Sequence, residues 1–459
     1  MEPLLLECGQ EGVEKRLLDA VTTSHNHLAS SIRLRWDGDP LYVSSVLGLN
    51  DSRQVDKARS KEWKMEVWKL HGLTVAASRS TVLRLYVVPV FQTQALLLYK
   101  SKTSPVWLSG GRGGKPTFNR VPPQDSSQEV RKVKTTAVRA LYALGLDYGV
   151  AKVGIQPGNR IAVVDVIPNP RLNNEMGIQL AGAIQQYIRR LPRLLSPVDQ
   201  VMMGADPEFL MRRKNGSLVM ASNYFPRFGQ VGCDAIWHGR DRSVKPLVEL
   251  RPKPSTDPRQ VVIRMYKGMI TAARRVNEQQ VEWLAGALPH PQYPLGGHIH
   301  FSGIPLTFQL LRALDLYLAL PIMVAEDKNG VRRRPRYGFL GDYRPQFHGG
   351  FEYRTLPSWL VSPTLTRGSM AVAQLIAARY PYLPTDDWYD DKLQQAYYRG
   401  DKKVVRERME GLWGALKRLG EYERSQKDLD RFYQMAVSGV PWNEKQDIRK
   451  AWKLPPYQK

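Results

Sequence analysis

Four short segments in the second half of the chain share one pattern: a pair of polar or charged residues two positions apart, inside a run that reads as a β-strand. They are Asp206/Glu208 in GADPEFLM, Glu249/Arg251 in LVELRP, His298/His300 in GGHIHF and Glu352/Arg354 in FEYRTL. Residues i and i+2 of a strand point to the same face of a sheet. If the four strands are neighbours, one face collects four carboxylates, two imidazoles and two guanidiniums. The flanking residues are mostly apolar, so this face is expected to be semi-buried. Charges gathered in such a place need a counter-ion or a charged ligand. A single Glu–Arg or His-x-His pair is common on protein surfaces. Four of them within about 150 residues, a usual domain length, point to a metal-and-anion site.

The residue types say what such a site would hold. Carboxylate oxygens are hard ligands suited to magnesium or manganese. Asp206, Glu208, Glu249 and Glu352 are enough for two or three such ions, and an imidazole can join a set. Arg251, Arg354 and the run Arg332, Arg333, Arg334, Arg336 and Arg344 bring permanent charge and forked donors that match phosphate or carboxylate. Acids for metal ions beside arginines for anions is the layout of a phosphoryl-transfer site. Gly296 and Gly297, just before the histidines, let the backbone approach a ligand closely. Two other readings fit parts of the pattern. One is a metal-dependent hydrolase built on the His-x-His pair and the carboxylates. The other is a basic polyanion-binding protein with an inactive fold. A zinc hydrolase more often uses several imidazoles and one activated water. Here acids and arginines outnumber histidines.

With 459 residues the chain exceeds one ordinary core, and two or three domains are expected. The formal net charge of +24 suits a polyanionic partner such as a nucleotide, a nucleic acid or an acidic polymer. No helix-turn-helix, zinc-finger or RNA-recognition motif accompanies that charge. No apolar run reaches the roughly 18–20 residues of a membrane span, and the start MEPLLLECGQEG lacks a basic n-region. Cys8 and Cys233 make neither a disulfide framework nor a metal spacing. A cytoplasmic protein without a membrane segment is the expectation.

Along the chain, 52–72 reads as a helix ending at Gly72, and 81–100 as two strand runs. The Gly/Pro/Ser-rich 109–127 reads as a loop, in which Gly110–Lys115 is a mobile linker rather than a phosphate loop. A helix from about 127, the strands AKVGIQ and RIAVVDVIPNP, and a helix over 173–195 follow. LLSPVD is a domain boundary. Asn215-Gly216 signals a hairpin. Asp257 and Pro258 open a helix, and 305–327 and 364–381 read as two more. From 385 the chain is polar, aromatic and helix-prone. Hairpins followed by helices give an α+β class for this half.

GADPEF, VELRP, GGHIHFSG, the RYGFLGDYR loop and FEYRTLPSWL, in that order over about 200–382, resemble the phage-type carboxylate–amine ligases (COOH-amine ligase type 2), amidoligases of the glutamine synthetase-like superfamily. The resemblance implies a glutamine synthetase-like antiparallel-sheet catalytic domain over 198–384, with a helical extension over 385–459. It implies metal ligation by Asp206, Glu208, Glu249, His298 and Glu352. His300, Arg332, Arg334 and Arg336 fall at the nucleotide, and Arg354, Arg251 and Arg344 at the reacting phosphate. The strand of Glu249 carries one clear acid where the relatives have two, so Asp234 or Asp241 is a candidate for the second. The implied reaction is ATP- and Mg2+- (or Mn2+-) dependent formation of an amide or peptide bond through an acyl phosphate. Its substrates would be an amino-acid or peptide carboxylate and an amine. The first 197 residues resemble, more weakly, an α/β ATP-grasp domain. Its metal strand, usually acid-x-Asn-Pro, reads Asp165-Val166-Ile167-Pro168 here. Ile167 cannot bind a metal, so the resemblance implies a degenerate domain serving substrate or partner recognition.

Overall fold

The computed structural model describes residues 6–7, 34–35, 49–77, 81–102, 117–190, 197–276, 278 and 280–457. Gly110–Lys115 and Cys8 lie outside the described residues. The chain divides into two compact units, Met1–Arg193 and Leu194–Lys459.

In the first unit the predicted helix over 52–72 is two helices, α1 (Ser52–Lys57) and α2 (Lys61–Leu70). Asp51 caps the first and Ser60 the second, each side chain accepting a backbone N–H that the helix start leaves unpaired. Five strands follow: β1 (Arg84–Phe91), β2 (Tyr99–Ser101), β3 (Phe118–Arg120), β4 (Tyr148–Gln156) and β5 (Arg160–Ile167). They form an antiparallel sheet of order β3–β2–β1–β4–β5, with Gln94–Ala95 added to β1. Helix α3 (Gln128–Ala143), capped by Ser127, lies between β3 and β4, and α4 (Asn174–Arg190) follows β5. The inward side of α3, including Val133, Ala137 and Leu141, is fully buried.

The second unit is built on a long central strand, β6 (Met202–Arg213). The remaining strands are β7 (Val231–Cys233), β8 (Leu247–Leu250), β9 (Val281–Leu284), β10 (Gly297–Ser302), β11 (Tyr343–Pro345) and β12 (Phe351–Tyr353). Their order is β7–β8–β6–β10–β12–β11, all antiparallel, with β9 and Leu218–Val219 also on β6. The Asn215-Gly216 turn that leads to Leu218 has Gly216 at φ +88°, which glycine adopts freely. Residues on one side of these strands, such as Met203, Phe209, Val248, Ile299 and Phe301, are buried under helices α5 (Pro258–Arg275) and α8 (Pro363–Arg379). Phe209 stacks on Trp283 with ring centroids 4.6 Å apart. Asp257 and Pro258 start α5 as their residue types predict. Both units are therefore α+β with antiparallel sheets.

Helix α6 (Phe308–Leu314), the π-helical turn Asp315–Ala319 and α7 (Leu320–Ala325) run on from one another. By length and composition Phe308–Ala325 is long and apolar enough to cross a membrane, but 94% of it is buried in the unit, as in a core helix. The helices after residue 385, namely α9 (Asp391–Arg399), α10 (Lys402–Lys417), α11 (Gln426–Val437) and α12 (Ile448–Trp452), fall in this same unit. Arg449 donates to the carbonyl of Val281 on β9, and the Trp452 indole donates to the Leu360 carbonyl at 2.7 Å.

Candidate active site

The register of the sheet places the four pairs on one face. Glu249 lies opposite Glu208, His298 opposite Asp206, and His300 opposite Glu352. Directly paired residues share a face, so β8, β6, β10 and β12 present Glu249, Glu208, Asp206, His298, His300 and Glu352 side by side. Arg344, opposite Glu352 on β11, joins them. Arg251 and Arg354 continue the β8 and β12 runs. On β10 the burial alternates residue by residue, with Ile299 and Phe301 buried and the histidines between them partly open. The other side of the sheet is the apolar core, so one row of side chains makes the fold and the alternate row makes the site.

The middle of this face is crowded with polar atoms that lack hydrogen bonds. His298 Nδ1 lies 3.1 Å from both Asp206 Oδ1 and Glu352 Oε1, and His300 Nε2 lies 3.0 Å from Asp206 Oδ2. Asp206 Oδ1, His298 Nδ1, His300 Nε2, Glu352 Oε1 and Arg354 Nε are buried, and the geometry gives none of them a hydrogen bond. Buried polar atoms are nearly always bonded. Five converging exceptions, most of them oxygen or imidazole nitrogen, fit a divalent cation. Ligand atoms of Asp206, His300 and Glu352 all lie within 4.8 Å of one another. Sequence reasoning put His298 in the ion set and His300 at the nucleotide; the geometry brings both rings to Asp206. Burial opposes the Asp206 charge, but His298 and then His300 outweigh it and hold the carboxyl below its usual range. Burial likewise opposes the His300 cation, and Asp206 raises that ring above its ordinary value.

Toward β7 the balance reverses. Burial, then Asp234, Glu249 and Asp206, push Glu208 well above the carboxylate range, against a 2.7 Å bond from the Gly296 N–H. Burial and Asp206 push Glu249 to about 8, although Arg251 pairs with it. This end has more acid than base, which a second cation would relieve. Of the two candidate extra acids, Asp234 is the one that raises both Glu208 and Glu249, while its Oδ2 also accepts the Ile236 N–H at 2.8 Å. Its backbone N–H bonds to Leu247, which puts it two positions along from the Glu249 pairing. Asp241 is not that acid, because it is exposed and accepts from Ser243 in its own turn. A Cβ on Gly232, opposite Glu249, would meet the Arg251 guanidinium and displace that end of the arginine side chain.

The predicted arginines divide. Arg344 donates to Glu352 Oε2 at 2.7 Å, and Arg354 Nε lies 3.1 Å from Glu352 Oε1. Burial works against the Arg354 charge, but Asp342, Glu352, Asp206 and Glu208 outweigh it. Arg332 and Arg336 are exposed, and Arg336 sits over the Tyr337 ring at 5.5 Å. Arg334 was expected at the nucleotide and lies elsewhere: the turn Lys328–Arg333 carries it inward onto Glu326, at 2.5 and 3.0 Å, with its side chain 2% exposed and stacked on Tyr397. Arg333 is buried too and donates to the carbonyls of Thr355 and Leu356, just past β12. Sequence reasoning missed the supports of the face. Gln346 donates to Glu352 at 2.9 Å, and the Ser358 hydroxyl donates to the Glu208 carbonyl at 2.5 Å. Asp315, in the π-helical turn, accepts from the Gly341 N–H, the Tyr353 hydroxyl and the Trp388 indole at 2.7–3.0 Å. An acid inside the apolar run LLRALDLYLAL was its one signal.

Two clefts, of about 620 and 280 Å³, open around the C-terminal ends of α8 and α10 and the start of α5, and no residue of the polar face lines them. In the first unit Asp165 is bound by Lys64, whose Nζ lies 2.5 Å from Asp165 Oδ1 and 3.1 Å from the Val166 carbonyl.

The family described as phage phiEco32-like COOH.NH2 ligase-type 2 matches residues 203–454, which takes in the whole polar face and the helices after residue 385. No curated protein matches the chain. Similar solved structures include the bifunctional glutathione synthetase from Pasteurella multocida (11% identity, TM-score 0.36, 55% of this chain and 50% of that one). Others are the ATP-grasp ligase PsnB complexed with a minimal precursor (12%, 0.23, 30% and 65%) and the macrocyclase MdnC bound with precursor peptide MdnA from Microcystis aeruginosa MRC (10%, 0.23, 31% and 64%). The chain thus spans between half and two thirds of the length of each of these structures.

Proposed function

The chain belongs to the phage phiEco32-like COOH.NH2 ligase-type 2 family, and from that premise we propose that its polar face uses ATP to join a carboxylate to an amine. The observation that carries the proposal is the set of buried, unbonded ligand atoms on Asp206, His298, His300 and Glu352, with Arg344 and Arg354 against Glu352 and Arg251 against Glu249. Asp206, His300 and Glu352 would hold one magnesium or manganese ion. Glu208, Glu249 and Asp234 would hold another, and His298 lies against Asp206 and Glu352 of the first set. Bound there, the ions would neutralise phosphate charge and polarise the phosphoryl group.

The protein's own groups supply positioning and charge. Arg344 and Arg354 present forked donors over Glu352, suited to the oxygens of the transferring phosphate. Exposed Arg332 and Arg336 are within the same loop and would meet the rest of the nucleotide. Arg251 stands at the opposite end, where it would orient the substrate carboxylate. That carboxylate attacks the γ-phosphorus, giving an acyl phosphate and ADP. The amine then attacks the acyl carbon, phosphate leaves, and the amine proton passes to solvent or to a nearby carboxylate. No covalent enzyme intermediate is needed.

The test is ADP release with ATP, magnesium and a panel of amino acids, peptides and amines, with products read by mass spectrometry. Glu352→Gln should abolish release while the protein still unfolds cooperatively. Amine-dependent ADP release at the wild-type rate in that variant would overturn the assignment.

A further inference from the structure

Beside the acid-rich end of the face lies a surface that the proposed chemistry does not use. Residues 226–230 and the loop 234–246 between β7 and β8 carry Arg227, Arg240, Arg242 and Lys245. Among the described residues none of these four is within ion-pair distance of a carboxylate. Asp241, the one acid among the exposed residues here, is turned onto Ser243. Two large aromatic rings are also open to solvent, Phe228 (76% exposed) and Trp237 (47%). Each already carries a cation: Arg227 over Phe228 at 5.7 Å, and Arg242 and Lys245 over Trp237 at 5.3 and 5.7 Å. The surface is joined to the face. Arg227 and Arg251 both donate to the Cys233 carbonyl, at 2.7 and 3.1 Å, and Arg251 pairs with Glu249. Asp234, the first residue of the loop, stands in the electrostatic neighbourhood of Glu208 and Glu249.

We propose that this basic, aromatic rim docks an acidic polypeptide segment that delivers the carboxylate to the face. The proposal rests on the ligase reading and names the substrate class. Exposed Trp and Arg together mark binding hot spots, and unpaired guanidiniums match carboxylates in forked geometry. The cations are spread over two loops, more than one small acid would engage, so a polymer of several carboxylates fits. A single-stranded nucleic acid would want bare ring faces on which bases stack. Here cations lie over both rings, so the surface offers charge more than stacking. The reaction also requires a carboxylate on its substrate, which a nucleic acid lacks.

The experiment measures binding without turnover. A fluorescein-labelled decapeptide of alternating Glu and Gly is titrated by anisotropy at two salt concentrations, with a dT oligomer of equal charge as competitor. The peptide should bind, more weakly at higher salt. The combined reversal Arg240→Glu, Arg242→Glu and Lys245→Glu should weaken binding by about tenfold or more. Reversal of three exposed cations elsewhere (Lys403→Glu, Arg406→Glu and Lys417→Glu) should leave it within about twofold, which separates local docking from total charge. No binding, equal loss in both triple variants, or an oligomer that out-competes the peptide would each overturn the proposal. Failure of the ligase reading itself appears separately, as no ADP release with any substrate.

Discussion

Asp206 and Asp165 are both strand acids at positions where the resembled families bind a metal ion, one in an intact pattern and one in a strand that reads as degenerate, and the two units of the chain treat them in opposite ways. In the N-terminal unit Lys64 reaches from α2 and places its ammonium 2.5 Å from Asp165, with the lysine side chain 8% exposed. One acid meets one permanent cation, and the pair is complete. On the polar face Asp206 sits among two histidines and three more buried acids, and its Oδ1 has no hydrogen bond. Burying a carboxylate costs several kcal/mol unless partners satisfy it. An acid with a built-in lysine is part of the architecture. An acid surrounded by imidazoles and other acids suits a cation that arrives with the ligand.

The largest effect should come from testing this difference directly. Asp206→Asn is expected to lower amine-dependent ADP release by about a thousandfold, roughly 4 kcal/mol of transition-state stabilisation. It should also remove the thermal stabilisation that magnesium gives the wild-type protein. Asp165→Asn should change turnover by no more than about threefold, because Lys64 already occupies its carboxylate. Comparable losses in the two variants would place catalytic work in both units and break the comparison.

A second contrast lies inside the C-terminal unit. Glu444 is as buried as the acids of the face, yet its two oxygens accept the Ala287 and Leu288 N–H groups. Gly286 leaves room for it, since a Cβ there would come within 2.5 Å of the carboxylate. Burial still pushes Glu444 up to about 7. The folded value exceeds the unfolded one, so the folded state holds this proton more tightly. The contribution is full below about pH 4.5 and is lost as pH rises through about 7, in total about 3 kcal/mol. Denaturant midpoints from pH 5 to 8 should therefore fall in the wild type. The slope should be much flatter in Glu444→Gln, whatever its mean stability. An unchanged slope would show that the surroundings of Glu444 are wetter than its burial suggests.

The polar face was legible because a strand repeats every two residues. His298/His300 and Asp206/Glu208 announce a shared face with no knowledge of the fold, and the register then made these strands neighbours. Position along a loop is not legible in that way. Arg334 and Arg336 look alike in RRRPRYG, but the chain turns one onto buried Glu326 and leaves the other in solvent. Lys64 was invisible as the partner of Asp165, because 101 residues separate them. The helical stretch after residue 385 shows no site-like cluster, and its role emerges only through long-range bonds. Glu444 holds Ala287; the Gly286 carbonyl beside it accepts from the Ser358 N–H; and the Ser358 hydroxyl donates to the carbonyl of Glu208.

Asp315 gives the finest test, because it is a fully bonded acid that touches the face only through others. Its carboxylate receives the Tyr353 hydroxyl at 2.7 Å and the Gly341 N–H at 3.0 Å. Tyr353 lies between Glu352 and Arg354, and the Arg354 N–H donates to the Asp342 carbonyl next to Gly341. A π-helical turn in a long helix is uncommon and often serves a functional site; here it presents Asp315 to β12 and its loop. Asp315→Asn should cut kcat about tenfold and raise the magnesium concentration needed for half-maximal rate, since Glu352 loses its fixed position. Tyr353→Phe removes one bond, worth about 1 kcal/mol, and should shift the same two quantities less. A purely structural acid would lower the melting temperature in both variants and leave the magnesium dependence where it was. That outcome would confine the unbonded atoms of the face to Asp206 and its direct neighbours, with no positioning chain behind them.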